Sequence, residues 1–413
     1  MNPTKLLWAI LAGAVGGILC GWFFGEAMTS IGWIGALFLD TLKMTIIPLI
    51  AAAVISSVTS VGDVGKLGRL GGLTLGYYLT TTGLAVTTGL VVVNLIQPGV
   101  GVHAVTGGAA PGQEIMNTTM GVQDIIRSLV TPNLIEAAAN TNLLPLIVFC
   151  LLFATAIMVV GNNARPVAAF FEGMNDIMMR IVIWIMYLSP IGVFALIAST
   201  LGKAGGSAFA AQISAVGWYF VTILLGLAIH SCVLFAILVL LARRGRGYLV
   251  TMLRALITAF GTASSSATMP LTIECAAEAG VDKRAARFII PLGATVNMDG
   301  TALYQAVAAM FVAQAYGIDL GVGQQAIIFV TATLASIGAA GIPQAGLVTM
   351  LIVFNAVNLP TEGIGLILTV DWLLDRFRTT VNVWGDSVGA AVIGRAALEP
   401  HVQSAIEAAE EIG

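Results

Sequence analysis

The chain has 413 residues, 58% hydrophobic and 9% charged, with a formal net charge of -3 and a mean hydropathy of +0.96. A soluble domain carries about 25% charged residues, so this composition cannot furnish a water-facing surface and the chain reads as a polytopic membrane protein. The small net charge gives no footing for a nucleic-acid partner, and the four cysteines (Cys20, Cys150, Cys232, Cys275) lack the paired spacing of a disulfide framework or a thiolate metal centre.

In chain order, Met1 to Lys5 and the apolar run to about Phe24 have the outline of a signal peptide. No small-residue cleavage site precedes a polar mature domain, so the segment reads as a retained first helix. Apolar runs of ~20 residues or more predict spans near 6–24, 31–60, 70–97, 139–161, 171–200, 208–242, 285–316 and 363–395. Lys5, Lys66, Arg69, Arg165, the cluster Arg243-Arg244-Gly245-Arg246, and Lys283-Arg284 fall in alternate connections. The positive-inside rule therefore places both termini in the cytoplasm and the loop 98–124 outside. The tail after Glu399 is acidic and reads as a solvated end.

Two apolar stretches do not fit simple spans. Residues 256–275 are interrupted by Ser264-Ser265-Ser266-Ala267-Thr268-Met269-Pro270, and residues 327–354 by Ser336-Ile337-Gly338-Ala339-Ala340-Gly341-Ile342-Pro343-Gln344-Ala345-Gly346. Each leaves arms of ~10 residues, half a bilayer crossing. Their freed backbone groups must face protein or water rather than lipid. Both read as re-entrant hairpins, each preceding a polar-centred helix, a pairing that points to a transporter binding site. Kinks in long spanning helices are the competing reading.

Asn297-Met298-Asp299-Gly300-Thr301 interrupts the first polar-centred helix, with Asp299 mid-span and no base adjacent in sequence. Gly300 permits close backbone approach or local unwinding. A carboxylate, an amide oxygen and freed carbonyls are hard ligands suited to an alkali cation. Tyr77-Tyr78-Leu79-Thr80-Thr81-Thr82 adds hydroxyls, although threonines in membrane helices commonly bond their own backbone. In the last helix, Asp371, Asp375, Arg378, Thr379, Asn382 and Asp386 fall in a wedge of roughly 100° when drawn at ~100° per residue. A charge at mid-membrane depth costs at least about 2.5–3.5 kcal/mol, so this stripe faces protein, water, ions or a ligand. Arg376 lies outside the wedge, where pairing with a nearby acid or snorkelling accounts for it. Arg378 is the candidate for an acidic side chain, which an arginine fork grips bidentately.

Together, segments 264–270, 297–301, 336–346 and 371–386 resemble the dicarboxylate/amino acid:cation symporter family, the excitatory amino-acid (glutamate/aspartate) transporters and their prokaryotic homologues, over nearly the whole chain. The resemblance implies an all-α membrane protein of eight transmembrane helices plus two re-entrant helical hairpins with inverted repeats. It implies a homotrimer in a lipid bilayer, with scaffold and elevator-type transport domains. On that plan residues 1–69 hold scaffold helices 1–2, 70–97 transport-domain helix 3, 98–124 the external loop and 125–207 scaffold helices 4–5. Residues 208–396 form the rest of the transport domain, with hairpin 1 about 250–278, helix 7 about 284–316, hairpin 2 about 322–358 and helix 8 about 362–396. Residues 397–413 form a cytoplasmic tail, and the membrane is the plasma membrane.

Carried over by position, the resemblance implies that Arg378 binds the substrate side-chain carboxylate and Asp375 its ammonium group. Thr379, Asn382 and Thr301 join them, with Ser265 of the first hairpin and backbone of Gly341 and Ile342 of the second. For Na+, Tyr78, Thr81, Thr82, Asn297 and Asp299 match one site, and Gly293, Asn297, Asn382 and Asp386 a second. Thr295, Met298, Ser336, Ile337 and Ala339 match a third. Gln305 stands where eukaryotic members carry a glutamate linked to proton and potassium coupling, and a glutamine cannot titrate. Ala263 replaces a serine or arginine at the first tip. The expected function is sodium-coupled symport of L-aspartate and/or L-glutamate. A proton-driven glutamate carrier, a C4-dicarboxylate carrier and an ion channel are the alternatives. An enzyme is not expected, because no nucleophile–base pair occurs and His230, alone in its span, reads as a packing or interhelical hydrogen-bonding residue.

Overall fold

A computed structural model describes residues 3–59, 64–101, 127, 129–140, 142–204, 206–337 and 345–410. Apolar surroundings force each backbone group to bond within its own segment, and the regular structure among the described residues is helical throughout. Helices α1 (Pro3–Phe24) and α2 (Gly32–Thr59) are joined by a 3-10 turn, and α3 (Val64–Ile96) follows. The short α4 (Leu134–Ala139) leads into α5 (Leu143–Val160), α6 (Arg165–Met186) and α7 (Ser189–Ala204). Helix α8 (Gly206–Leu241) precedes a helical pair, α9 (Arg246–Thr262) and α10 (Ser265–Glu278). Next come α11 (Lys283–Val296) and α12 (Asp299–Ala315), a second pair, α13 (Val322–Ser336) and α14 (Ala345–Ala356), and the long α15 (Ile364–Glu410).

The stretches Trp8–Thr59, Gly71–Ile96, Leu143–Met186 and Ile213–Leu241 are long and apolar enough to cross a bilayer, and the first and third each contain two helices. Large apolar side chains such as Trp8, Trp33, Phe170, Trp184 and Trp218 point outward, the reverse of a water-soluble surface. This is a multi-pass, all-α membrane fold.

Packing divides the helices. Helix α7 lies along α1, and α2 packs on α5, α6 and α7. Helix α12 packs on α3, α8, α13, α14 and α15, while α15 also contacts α8, α9, α10 and α11. At the centre, every residue of α12 from Asp299 to Ala313 is buried, the signature of a helix enclosed on all sides. Its polar residues therefore need partners inside the protein. Lys43 of α2 donates to Thr361 Oγ1 at 3.1 Å, a polar tie between α2 and the segment leading into α15.

Two predicted spans are broken. The segment 171–200, expected as one helix, turns at Tyr187 and Leu188 between α6 and α7. Pro190 cannot continue the ladder, and the Ser189 hydroxyl donates to Met186 O at 2.6 Å across the turn. The span 285–316 breaks at Asn297 (φ -113, ψ 87) and Met298 (φ -116, ψ 63), so of the two roles expected for Gly300, unwinding and close backbone approach, the break does not fall on the glycine itself. Gly300 sits in the first turn of α12, and a Cβ there would lie 2.6 Å from Arg378 O, so its glycine serves close helix approach. Helix α15 carries on as far as Glu410, well into the tail.

Helices α9 and α10 pack against each other and meet at Ala263 (φ 49) and Ser264, whose hydroxyl accepts from Ala267 N at 3.2 Å as the N-cap of α10. Helices α13 and α14 pack likewise, and the connection between them, 338–344, lies outside the described residues.

Candidate functional site

The break between α11 and α12 sets the end of one helix against the start of the next inside a buried core. The negative end of one dipole and the positive end of the other then face the same space. Side chains from α3, α8 and α15 converge on it. Asn297 Nδ2 donates to Asp386 Oδ1 at 3.0 Å, and Asn297 Oδ1 accepts from Thr81 Oγ1 at 3.3 Å. Thr82 Oγ1 donates to Asp299 Oδ1 at 2.9 Å, so both threonines bond across helices, and Thr81 also lies 3.3 Å from Tyr78 O of its own helix. Asn297, Asp299, Thr81, Thr82 and Asp386 are all buried.

Tyr78 belongs to the same cluster by another route. Its hydroxyl donates to Ile289 O on α11 at 2.7 Å, one turn before Gly293. A Cβ on Gly293 would collide with Asp386 Oδ1 and lie 2.5 Å from Tyr78 Oη. The glycine therefore opens the room in which hydroxyl and carboxylate approach. The donors here are carboxylate, amide and hydroxyl oxygens, which suit a hard monovalent cation.

The stripe on α15 faces inward as a unit: Asp371, Asp375, Arg378, Thr379, Asn382 and Asp386 are all buried. Arg378 Nη2 lies 2.9 Å from Asp375 Oδ1 and 3.1 Å from Asp371 Oδ1. Its guanidinium carbon sits 3.8 Å from the centre of the Tyr304 ring, a cation–π stack that a desolvated arginine strengthens. A Cβ on Gly346 of α14 would lie 2.8 Å from Arg378 Nη1, so the second helical pair closes directly over the guanidinium. Arg378 Nε and Nη1 have no hydrogen-bond partner among the described residues. Two strong donors are thus left over on a buried cation.

Asn382 bridges the two clusters. Its Oδ1 accepts from Gly300 N at 2.8 Å, and its Nδ2 donates to Thr301 Oγ1 at 3.2 Å. Thr379 donates to Asp375 O within its own helix at 2.8 Å. Ser265 is buried in the first turn of α10. Thr295 and Ser336 turn their hydroxyls to Leu292 O and Thr333 O of their own helices. Met298 and Ile337 are buried. Ala339, Gly341 and Ile342 lie outside the described residues.

His230 of α8, expected as a packing or interhelical hydrogen-bonding residue, makes such an interhelical contact: its Nε2 lies 3.0 Å from Asp299 Oδ2, both side chains fully buried. That Asp299 is the partner was not legible in sequence, and neither were two further contacts. Tyr304 gave no signal, since an aromatic residue in an enclosed helix reads as packing. Arg376, expected to pair with an acid or to snorkel, instead donates through Nη1 to Phe260 O and Gly261 O at 2.8 and 2.7 Å. It caps the carbonyls that α9 leaves unsatisfied at its end.

Residues 6–396 match the model of the sodium:dicarboxylate symporter family. The chain is similar to an excitatory amino acid transporter of Caenorhabditis elegans, 37% identical over 97% of this chain and 90% of the relative. The putative sodium-dependent excitatory amino acid transporter glt-4 of the same organism is 39% identical over 87% of this chain and 82% of the relative. Human excitatory amino acid transporter 3 is 39% identical over 87% of this chain and 78% of the relative.

Proposed function

The chain belongs to the sodium:dicarboxylate symporter family, and from that premise we infer that it is a secondary transporter, not an enzyme, carrying acidic amino acids across a membrane together with sodium. The relatives bear names of excitatory amino acid transporters, one of them sodium-dependent. The observation that carries the reading in this chain is Arg378: buried, flanked by Asp371 and Asp375, with Nε and Nη1 unpartnered among the described residues.

An acidic amino acid brings what this arrangement lacks. Its side-chain carboxylate takes the free donors of Arg378, and its ammonium group takes Asp375 as counter-charge. The ion pair between Asp375 and Arg378 is thereby exchanged for two ion pairs with substrate, and the main-chain carboxylate falls to hydroxyl and backbone donors, Ser265 first among them. A C4-dicarboxylate brings no ammonium group to stand beside Asp375 and sets a second carboxylate there instead. We assign Ser265, Thr301, Thr379 and Asn382 to the same site, with backbone of Gly341 and Ile342.

Sodium is the co-transported ion. We place one sodium among Tyr78, Thr81, Thr82, Asn297 and Asp299, and a second among Gly293, Asn297, Asn382 and Asp386. A third falls at Thr295, Met298, Ser336, Ile337 and Ala339. Asn297 bonds Asp386 and Thr81, one from each of the first two cation sets, and Asn382 bonds Gly300 N and Thr301, so the cation and substrate sites share Asn382. That sharing is a physical route to coupling.

The finer mechanism we propose is an elevator within a homotrimer of the plasma membrane, with cytoplasmic termini. The group α3 with α8–α15 would move as one body against α1, α2 and α4–α7. The division of packing supports it, as does the apolar lining where Leu49, Ile50 and Ile147 meet Ala335, Ile337 and Ile352. The test is uptake of radiolabelled aspartate and glutamate into proteoliposomes of the purified protein. An inward sodium gradient should drive accumulation above equilibrium. Uptake indifferent to sodium, or driven by a proton gradient alone, would overturn the reading.

A further inference from the structure

We propose that His230 is the residue that positions Asp299 and thereby sets the affinity for sodium; the inference rests on the symport reading above. Asp299 is held by two hydrogen bonds from two different helices. Thr82 of α3 donates to Oδ1 at 2.9 Å, and His230 of α8 lies 3.0 Å from Oδ2. Both histidine and aspartate side chains have no exposure.

The tautomer follows from the surroundings. His230 Nδ1 has no hydrogen-bond partner among the described residues. A proton there would be a buried donor with nothing to bond, which costs about 1–3 kcal/mol. The proton therefore sits on Nε2 and is donated to Asp299. Each carboxylate oxygen accepts one fixed donor, and each has a further lone pair free for a cation.

Position on the fold gives the contact a purpose. Asp299 begins α12 immediately after the helix break, where little backbone bonding restrains it. A carboxylate anchored only by Thr82 could rotate, and each rotation would cost order on cation binding. Outer-sphere donors to metal-binding side chains typically change affinity by ~10–100-fold when removed. Tryptophan Trp384 of α15 also donates to α8, at Ser231 O and 3.4 Å, so α8 is tied to the site next to His230. Helix α8 is thus part of the site wall.

The experiment is equilibrium binding of radiolabelled aspartate to purified protein over a sodium titration, with sodium-dependent thermal stabilisation in the absence of amino acid as a second readout. His230→Leu should raise the sodium concentration for half-maximal binding by ~10–100-fold, while aspartate affinity at saturating sodium changes little. His230→Gln, whose Nε2 reaches a similar position, should recover much of the sodium affinity. A His230→Leu protein with sodium dependence within twofold of wild type would overturn the proposal. If that variant does not fold, His230→Asn, whose amide is too short to reach Asp299, takes its place: a ~10-fold or larger loss of sodium affinity beside a near-wild-type His230→Gln supports the proposal, and equal affinities in the two variants overturn it. Wild-type protein that binds aspartate without sodium would defeat the symport reading instead, a distinguishable result.

Discussion

Arg378 shows how one side chain is made specific by what surrounds it. Two carboxylates hold its Nη2, an aromatic ring covers its face, and α14 approaches its Nη1 through a glycine. A buried arginine in such a cradle keeps its charge and its orientation, so the carboxylate it accepts is selected by geometry as well as by sign. Arg378→Ala removes the partner of a buried carboxylate pair, a change that costs about 2–5 kcal/mol. Acidic amino-acid affinity should fall by roughly 30-fold to several thousand-fold, and competition with serine or alanine should then become measurable. Unchanged aspartate binding in that variant would remove Arg378 from the site. Gln305 makes a related point. Its Nε2 donates to Thr349 Oγ1 on α14 at 2.6 Å, a neutral tie where a titrating side chain would make the contact between α12 and α14 depend on pH.

At the scale of elements, the helix ends carry the specificity. Helix α9 stops where Arg376 takes its last carbonyls, α10 starts on the Ser264 cap, and α11 stops where Asn297 turns away toward Asp386. The opposite end of α11 lies outside the apolar part of the fold. There Asp282 Oδ1 accepts from Arg284 N at 2.8 Å and from Ala285 N at 3.2 Å. Partial burial alone would raise this carboxyl, but the two backbone donors and the Arg284 charge outweigh it and hold Asp282 below the usual carboxylate range. A depressed folded value means that the cap stabilises above the unfolded value of about 4. The contribution fades as pH falls through that value and below. Asp282→Ala should lower stability by about 1 kcal/mol at neutral pH, read as a shift in thermal unfolding. The difference between variant and wild type should shrink at pH 3, and a pH-independent difference would show that the cap charge is irrelevant.

For the molecule as a whole, Asn382 stands in both the substrate and the cation set, and Asn297 links the two cation sets to each other, so binding at one must be felt at the other. Linkage then demands reciprocity: whatever factor sodium adds to aspartate affinity, aspartate adds to sodium affinity. Isothermal titration of aspartate at several sodium concentrations, paired with sodium titration at several aspartate concentrations, should return one coupling factor. Its typical size is about 5–150-fold, and two additive, independent affinities would mean that the shared Asn382 transmits nothing.

Much of this was readable along the chain. Composition dictated the membrane, because 9% charged residues cannot make a water-facing surface. The period of the helix placed Asp371, Asp375, Arg378, Thr379, Asn382 and Asp386 on one face, since a fixed turn per residue converts spacing into direction. The Ser-rich and Gly/Pro-rich interruptions, 264–270 and 336–346, marked places where a helix cannot continue through lipid. Only the tertiary structure decided which groups meet. Asp299 finds His230 from 69 positions away, Arg378 finds the Tyr304 ring, Arg376 finds the end of α9, and the break falls at Asn297 rather than at Gly300. Helical periodicity orients a side chain relative to its own axis. What lies opposite depends on how separate helices pack, and that is settled by close contacts such as Gly300 against Arg378, which no spacing within one segment encodes.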